Sequence, residues 1–272
     1  MDKTNSKQKP LVGILPGAGN LAETGRAVLI GKRLRDMGVG VIFFSHGGKY
    51  EFLIEDNDFE IVRVKPFVTE EQVKEALKMF AIETLKAKTV LTEDWLLENV
   101  EEEIAAFKKT GIKVLVSTNC AMASLSARAA KVLYINISPG PGNFAIKIYD
   151  AFENPLTFLI PQFIKIPILK YLLNGTKWYL KPINKVAKKV GAPEIERILH
   201  IFRGDITIKT NYIEFVNVFP NQYFGPPENY VGIILLDELF VGRTPKEEIK
   251  KIDSEIEAHL KRPGKSILVT LG

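Results

Sequence analysis

The chain has 272 residues, 46% of them hydrophobic and 25% charged, an ordinary globular balance that supplies a sizeable core. The single cysteine, Cys120, excludes an internal disulfide framework and fits a reducing compartment, and no apolar run approaches the ~20 residues of a membrane span. The net charge is +5, but residues 154–193 alone contribute +7, so basicity is local and argues against a surface that coats nucleic acid.

The first half of the chain alternates between predicted strands and helices. Residues 1–10 are polar and are predicted to be a flexible lead-in. Strands are predicted over 11–16, 39–45 and 59–65, and helices over 20–37, 70–87 and 93–111. In the last of these helices, one apolar stripe is formed by Leu96, Leu97, Val100, Ile104 and Phe107.

The second half continues the alternation and then opens a new element. Strands are predicted over 112–118 and 131–138 with a helix of small residues between them, and the turn "PGPGN" follows. This spacing predicts a Rossmann-like α/β domain over 11–240, with a doubly wound, mostly parallel sheet. Residues 241–272 read as a linker helix and a fully apolar strand, which we expect to open a second domain because such a strand needs neighbours on both sides.

A glycine-rich elbow joins the first strand to the first helix. Gly17, Gly19 and Ala22 fit the pattern G-x-G-x-x-[GA] of dinucleotide-binding proteins. That function also needs an acid at the end of the second strand, where "FFSHGGK" has none, so an NAD(P) oxidoreductase is the weaker alternative. Asn20 is a candidate catalytic residue, and the alternative is that it serves as the helix N-cap. Gly17 and Gly19 leave the backbone bare, so that helix-start amides can face an anion.

The predicted carboxyl edge of the sheet carries further candidate residues. His46 follows the second strand and is the best candidate base, the alternative being an exposed loop histidine. Asp150 follows the "PGPGN" turn as a second candidate, or as an ordinary helix-start acid. Ser138, Gly140 and Asn143 are predicted to line a pocket. No pair of histidines has metal-ligand spacing, so we expect no metal and no cofactor.

Residues 154–193 mix apolar side chains with seven lysines and contain no acid. Such a composition indicates an element that contacts an anionic membrane surface. The predicted contact residues are Lys165, Lys170, Trp178, Lys181 and Lys185. The alternative is that the apolar residues pack on the sheet while the lysines extend into water.

Four passages resemble GT-B glycosyltransferases related to the UDP-glucosyl and UDP-glucuronosyl transferases. They are "PGAGN" with "AVLIGKRLRDMGVGVIFFS", "VLVSTNCAMASLSARAAKVLYINISPGPG", "FPNQYFGPPENYVGIILLDE" and the closing "KSILVTLG". The resemblance runs from about residue 11 to residue 272. It implies the amino-terminal, acceptor-binding half of such an enzyme, whose donor domain would follow the last residue.

The resemblance also implies positions for the catalytic groups. The family places a histidine in the first loop and an aspartate after the fourth strand, and the matching positions here are Asn20 and, to within one residue, Thr118. Asparagine takes no proton at neutral pH, so the usual dyad is absent. Thr118 and Asn119 are then expected among the acceptor-binding residues, beside Gly17, Gly19 and Asn20.

The expected function is therefore transfer of a sugar from a nucleotide-sugar, which we expect to be UDP-linked, to a hydrophobic or lipid-like acceptor. We expect the isolated chain to be inactive and cytoplasmic, with peripheral attachment to the inner face of the membrane. Its partner would be a carboxy-terminal donor domain or a separate subunit. The second hypothesis is a non-catalytic membrane-docking or acceptor-binding subunit of a split glycosyltransferase, and the third is the NAD(P) oxidoreductase.

Overall fold

The computed structural model of the protein describes residues 10–71, 92–118, 120, 122–138, 160–161, 163–164, 167–168, 180–197, 200–210, 231 and 234. All of these residues belong to one compact unit, Met1–Ile234. Most of the helix predicted over 70–87 and the whole of 241–272 lie outside the described residues, and they stay predictions.

Six strands form one sheet in the order β3-β2-β1-β4-β5-β6, and every pairing is parallel. This confirms the predicted Rossmann-like α/β class. The order reverses between β1 and β4, and open sheets of this kind bind ligands at such a reversal, outside the carboxyl ends of the strands. The strands are β1 (Leu11–Pro16), β2 (Gly40–Ser45), β3 (Ile61–Arg63), β4 (Val114–Thr118), β5 (Leu133–Ser138) and β6 (Ile206–Lys209).

Five described helices connect or cover these strands. They are α1 (Leu21–Asp36), α2 (Phe52–Glu55), α3 (Glu93–Thr110), α4 (Ala123–Ala129) and α5 (Lys181–Val190). The two longest begin at capping side chains, Asn20 for α1 and Thr92 for α3. Helices α3 and α5 end at Gly111 and Gly191, both in the left-handed region with φ of 72°. Local chemistry thus sets where these helices start and stop.

The successive residues Phe43 and Phe44 of β2 show that the sheet is covered on both faces. Neighbouring side chains of a strand point to opposite faces. The Phe43 ring lies 4.8 Å from that of Phe59 and beside Gly31 of α1, whereas the Phe44 ring packs edge-on against Phe107 of α3 at 4.9 Å. Both phenylalanines of β2 are fully buried, and burial of each favours folding by about 1.5–3 kcal/mol.

The structure corrects two details of the sequence-based assignment. The strands predicted from 112 and 131 start two residues later, because Ile112 and Val132 enter the core from connections that turn at Gly111 and Lys131, both with positive φ. The buried face of α3 also differs from the predicted stripe. Leu96, Val100 and Phe107 are buried as expected, but Asn99 and Glu103 share that face, while Leu97 and Ile104 are only partly buried.

Candidate functional site

The glycine elbow lies at the reversal of the sheet, between the end of β1 and the start of α1. The Asn20 side chain accepts a hydrogen bond from the amide of Ala22 at 2.9 Å, so the predicted N-cap is confirmed. The Asn20 amide donates to the Gly17 carbonyl at 2.9 Å, which closes the turn. A Cβ at Gly17 would lie 3.7 Å from the Thr118 carbonyl and 3.9 Å from Cβ of Glu23. The elbow is therefore packed against the end of β4.

The loop after β2 lies directly on the elbow. Gly48 has a φ of +139°, and a Cβ there would come within 2.6 Å of the Ala18 carbonyl group. Only glycine fits so close an approach, because any larger residue would overlap backbone atoms. The Tyr50 amide adds a hydrogen bond to the Ala18 carbonyl at 3.0 Å. One side of the elbow backbone is thus occupied by the protein itself.

His46 is largely but not fully buried at the carboxyl end of β2, and it contacts an acceptor through each ring nitrogen. Its Nε2 lies 2.9 Å from Oε1 of Glu103, and its Nδ1 lies 3.2 Å from the Pro66 carbonyl oxygen. The two side chains are only 11% and 2% exposed. Burial by itself lowers the pKa of His46, but the hydrogen bond and the charge of Glu103 outweigh it, so this pKa lies above its usual value. Since a carbonyl and a carboxylate only accept, the doubly protonated ring satisfies both.

Glu103 joins three parts of the fold. Its Oε2 accepts a short hydrogen bond from the Ser126 hydroxyl of α4, while Oε1 bonds His46. Asn99, one turn earlier on α3, places its Nδ2 3.4 Å from both ring nitrogens, and its Oδ1 has no hydrogen-bond partner. Sequence reasoning missed this cluster. The available signal was the spacing of Glu103, which falls on the buried stripe between Val100 and Phe107.

A second buried acid, Glu23, lies in the first turn of α1. Its carboxylate accepts from Nη1 of Arg26 at 3.1 Å, and both side chains are only 9% exposed. Burial raises the pKa of Glu23 to about 7, against the opposing charge and hydrogen bond of Arg26. The Thr118 hydroxyl donates to the Glu23 backbone carbonyl at 3.1 Å. Sequence reasoning had no ground to single out Glu23, because acids are common in the first turns of helices.

Several predicted site residues meet at this edge and others lie elsewhere. Gly17, Gly19, Asn20 and Thr118 come together where β1 adjoins β4, although the Thr118 side chain is fully buried. Ser138 ends β5 beside Lys209 of β6, and burial lowers the pKa of that lysine to about 8. Four predicted residues lie outside the described part of the chain, namely Asn119, Gly140, Asn143 and Asp150.

Neither Cys120 nor a group of metal-ligand side chains provides a reactive centre among the described residues. Burial raises the pKa of the Cys120 thiol, so its nucleophilic thiolate form is disfavoured. Within the ranges that the structure describes, no three His, Cys, Asp or Glu side chains are grouped as metal ligands would be.

Helix α5 carries two of the lysines predicted to contact a membrane. Lys185 bonds Glu93 of α3 at 2.8 Å, while Ile183, Val186 and Ala187 are buried against the core. This part of the segment follows the alternative in which apolar residues pack and lysines reach water. Phe163, Ile164 and Ile168 are 74%, 41% and 40% exposed. The other predicted contact residues, Lys165, Lys170 and Trp178, lie outside the described residues. None of the described helices combines the length and the apolar character needed to cross a bilayer.

Comparison with known proteins finds matches among solved structures alone, since no family model and no curated protein sequence matches. The chain is similar to the spinosyn forosaminyltransferase SpnP, with 13% identity, 83% of this chain covered and a TM-score of 0.48. It is also similar to the glycosyltransferase SnogD from Streptomyces nogalater, with 14% identity, 80% of this chain covered and a TM-score of 0.45. A third similar structure is the glycosyltransferase VinC, solved in complex with dTDP, with 14% identity, 75% of this chain covered and a TM-score of 0.44. The chain spans about half of each of these proteins, at 50%, 50% and 49%.

Proposed function

We propose that the chain is the acceptor-binding half of a glycosyltransferase that moves a sugar from a UDP-linked donor to a hydrophobic or lipid-like hydroxyl compound. The observation that carries the proposal is the capped glycine elbow at the reversal of a parallel sheet. This is the edge at which sheets of this order bind ligands, and the passages that resemble GT-B enzymes supply β1, α1, β2, β4 and β5 around it.

The acceptor is assigned to the carboxyl edge between β1 and β5. Gly17, Gly19 and Asn20 would lie on one side of it and Ser138 on the other. The predicted residues Asn119, Gly140, Asn143 and Asp150 follow β4 and β5 in the sequence and would complete the surface. The donor would occupy a second domain or subunit, which closes the cleft over this edge.

The contact between Gly48 and the elbow disfavours the oxidoreductase alternative. In dinucleotide-binding folds the ribose lies near the end of the second strand and the pyrophosphate lies on the elbow. Here the loop after β2 lies against Ala18, which occupies one side of the elbow. Strand β2 ends at Ser45, whose hydroxyl donates to Glu51, and Glu51 is already paired with Arg63. Among the described residues, the acids near this strand end, Glu51 and Glu103, are thus already engaged by other side chains.

Transfer assays with labelled UDP-sugars test the proposal. Residues 1–272 would be mixed with hydrophobic alcohols or a lipid extract, alone and with the polypeptide encoded beyond codon 272 or by a neighbouring gene. We expect no transfer by the chain alone and measurable transfer by the mixture. Transfer by residues 1–272 alone would contradict the half-site assignment. Thermal stabilisation by NAD but by no UDP-sugar, with the mixture inactive, would favour the oxidoreductase.

A membrane-docking role is a second candidate, favoured by the exposed apolar side chains of Phe163, Ile164 and Ile168 within the basic segment. Binding to vesicles that contain anionic lipid should weaken with salt and with Phe163→Asp. The single variant Lys181→Glu should also weaken vesicle binding, since this lysine is exposed on α5. Glu102→Gln, an exposed change on α3, is the control. Equal binding by all three variants would contradict membrane contact.

A further inference from the structure

A buried carboxylate, that of Glu23, lies beside the glycine elbow. The resemblance puts the usual catalytic dyad at Asn20 and Thr118, and neither of these residues takes a proton at neutral pH. Glu23 lies close to both positions. It is three residues after the N-cap Asn20, in the first turn of α1, and its backbone carbonyl accepts the Thr118 hydroxyl at 3.1 Å.

We propose that Glu23 is the general base that takes the proton from the acceptor hydroxyl, an assignment that rests on the function proposed above. As the acceptor oxygen forms its bond to the anomeric carbon, its proton passes to the Glu23 carboxylate. The bond from that carbon to the diphosphate oxygen breaks, and the nucleoside diphosphate leaves with the electron pair. Glu23 later returns the proton to water. No oxidant or further reactant is needed.

The space around Glu23 suits this role. The Cβ that Gly17 lacks would lie 3.9 Å from Cβ of Glu23, in ordinary van der Waals contact. A side chain at position 17 would therefore contact the acid, and glycine keeps the elbow backbone beside Glu23 free of a side chain. The Glu23 side chain keeps 9% of its surface exposed, whereas Thr118 is fully buried.

The charges that face Glu23 tune it for proton transfer near neutral pH. Arg26, on the same helix, pairs with the carboxylate and favours its ionised form, while burial opposes ionisation and dominates. Across from α1, the Cys120 thiol senses the charges of both Glu103 and Glu23, with burial as the largest cause of its raised pKa. Glu23 therefore has a pKa of about 7, close to the value at which a general base is most effective.

His46 is the general base that the sequence predicted, and its hydrogen bonds distinguish it from Glu23. Both of its ring nitrogens already face internal acceptors, Pro66 and Glu103. To accept a proton from a substrate, the ring would have to release one of them. Among the described residues, the Glu23 carboxylate accepts hydrogen bonds only from Arg26, whose Nη1 donates to Oε2 at 3.1 Å and whose Nη2 lies at the longer distance of 3.5 Å from Oε1. Since each carboxylate oxygen has two lone pairs, Oε1 can still accept a proton without the loss of a strong hydrogen bond.

The experiment compares variants in the transfer-competent mixture of this chain with its donor half. Glu23→Gln should lower kcat/KM by about 10²–10⁴-fold, the usual contribution of a general base, with the donor KM unchanged. In the wild type, kcat/KM should fall about tenfold per pH unit below about pH 7, and this acid limb should be absent from the variant. Glu98→Gln, an exposed acid on α3, is the matched control and should behave as wild type.

Folding is controlled separately, because Glu23→Gln leaves the buried Arg26 guanidinium without its partner. The double variant Glu23→Gln/Arg26→Leu removes that charge and should show the same loss of kcat/KM. The assignment is overturned if either folded variant keeps its acid limb, or if His46→Gln abolishes that limb instead. A wild-type mixture that transfers no sugar from any UDP-donor would refute the proposed function as a whole, which is a different result from an active Glu23→Gln enzyme.

Discussion

Glu103→Gln perturbs the buried cluster that ties the loop after β2 to α3 and α4. The Glu103 side chain is 2% exposed and bonds both His46 and Ser126. Removing one charge from a buried pair costs about 3–5 kcal/mol, because the other charge stays buried without compensation. Glutamine keeps an acceptor for His46, so we expect about 3 kcal/mol, the lower end of that range. At about 2–4 °C per kcal/mol for a domain of this size, the Tm should fall by roughly 6–12 °C.

The pH dependence of the unfolding free energy tests the pair more specifically than the fall in Tm does. In the wild type the pKa of His46 is raised in the folded state. The stabilisation of the folded state by the pair is therefore fully present below the unfolded-state pKa of about 6.5, and it is lost as pH rises through the folded-state pKa. In Glu103→Gln the charge of Glu103 no longer raises the pKa of His46, while burial still lowers it and the backbone hydrogen bonds of Pro66 and Val64 still raise it. The pKa of His46 should therefore be lower than in the wild type, so the loss of stability with rising pH should be smaller in the variant.

Urea unfolding at pH values from about 5.5 to 8.5 measures both effects. Glu23 also titrates in this range, but it does so in both proteins, so the difference between the two curves isolates His46. Glu102→Gln, the exposed neighbour on the same helix, should match the wild type at every pH. If the Glu103→Gln and wild-type curves ran parallel across the range, the imidazolium–carboxylate pair would not exist in solution.

Three smaller predictions concern the elbow and α5. Gly48→Ala should destabilise the protein by about 3 kcal/mol or more, because position 48 combines a φ of +139° with overlap of the Ala18 backbone. Gly38→Ala should cost only about 1 kcal/mol in the same denaturant titration, because Gly38 has a φ of +80° but open space around it. Asn20→Ala should lose about 1 kcal/mol and Asn20→Asp very little, since aspartate also caps; equal losses would argue against the cap. Glu93→Gln should change the Tm little, because its ion pairs with Lys185 and Lys189 lie at the surface. A clear drop in Tm would show that these pairs are structural.

Local patterns in the sequence were sufficient for the elements that position the site. Apolar runs predicted β1, β2, β4 and β5, and their alternation with helices predicted a parallel sheet, because parallel strands need crossover connections. Asn20 was recognisable as a cap because the required contact spans only two residues. The starts of β4 and β5 were placed too early, since Ile112 and Val132 are as apolar as the strands that follow and only pairing distinguishes them.

The chain by itself therefore determined the class of fold, the elbow and the edge of the sheet where the candidate residues collect. The tertiary structure decided the chemistry at that edge. His46 and Glu103 are 57 positions apart, and Thr118 and Glu23 are 95 apart, so no local pattern brings them together. A carboxylate in a helix normally reads as a solvated residue. Only packing takes Glu23 and Glu103 out of water, and that loss of hydration is what gives each of them a strong interaction with its neighbours.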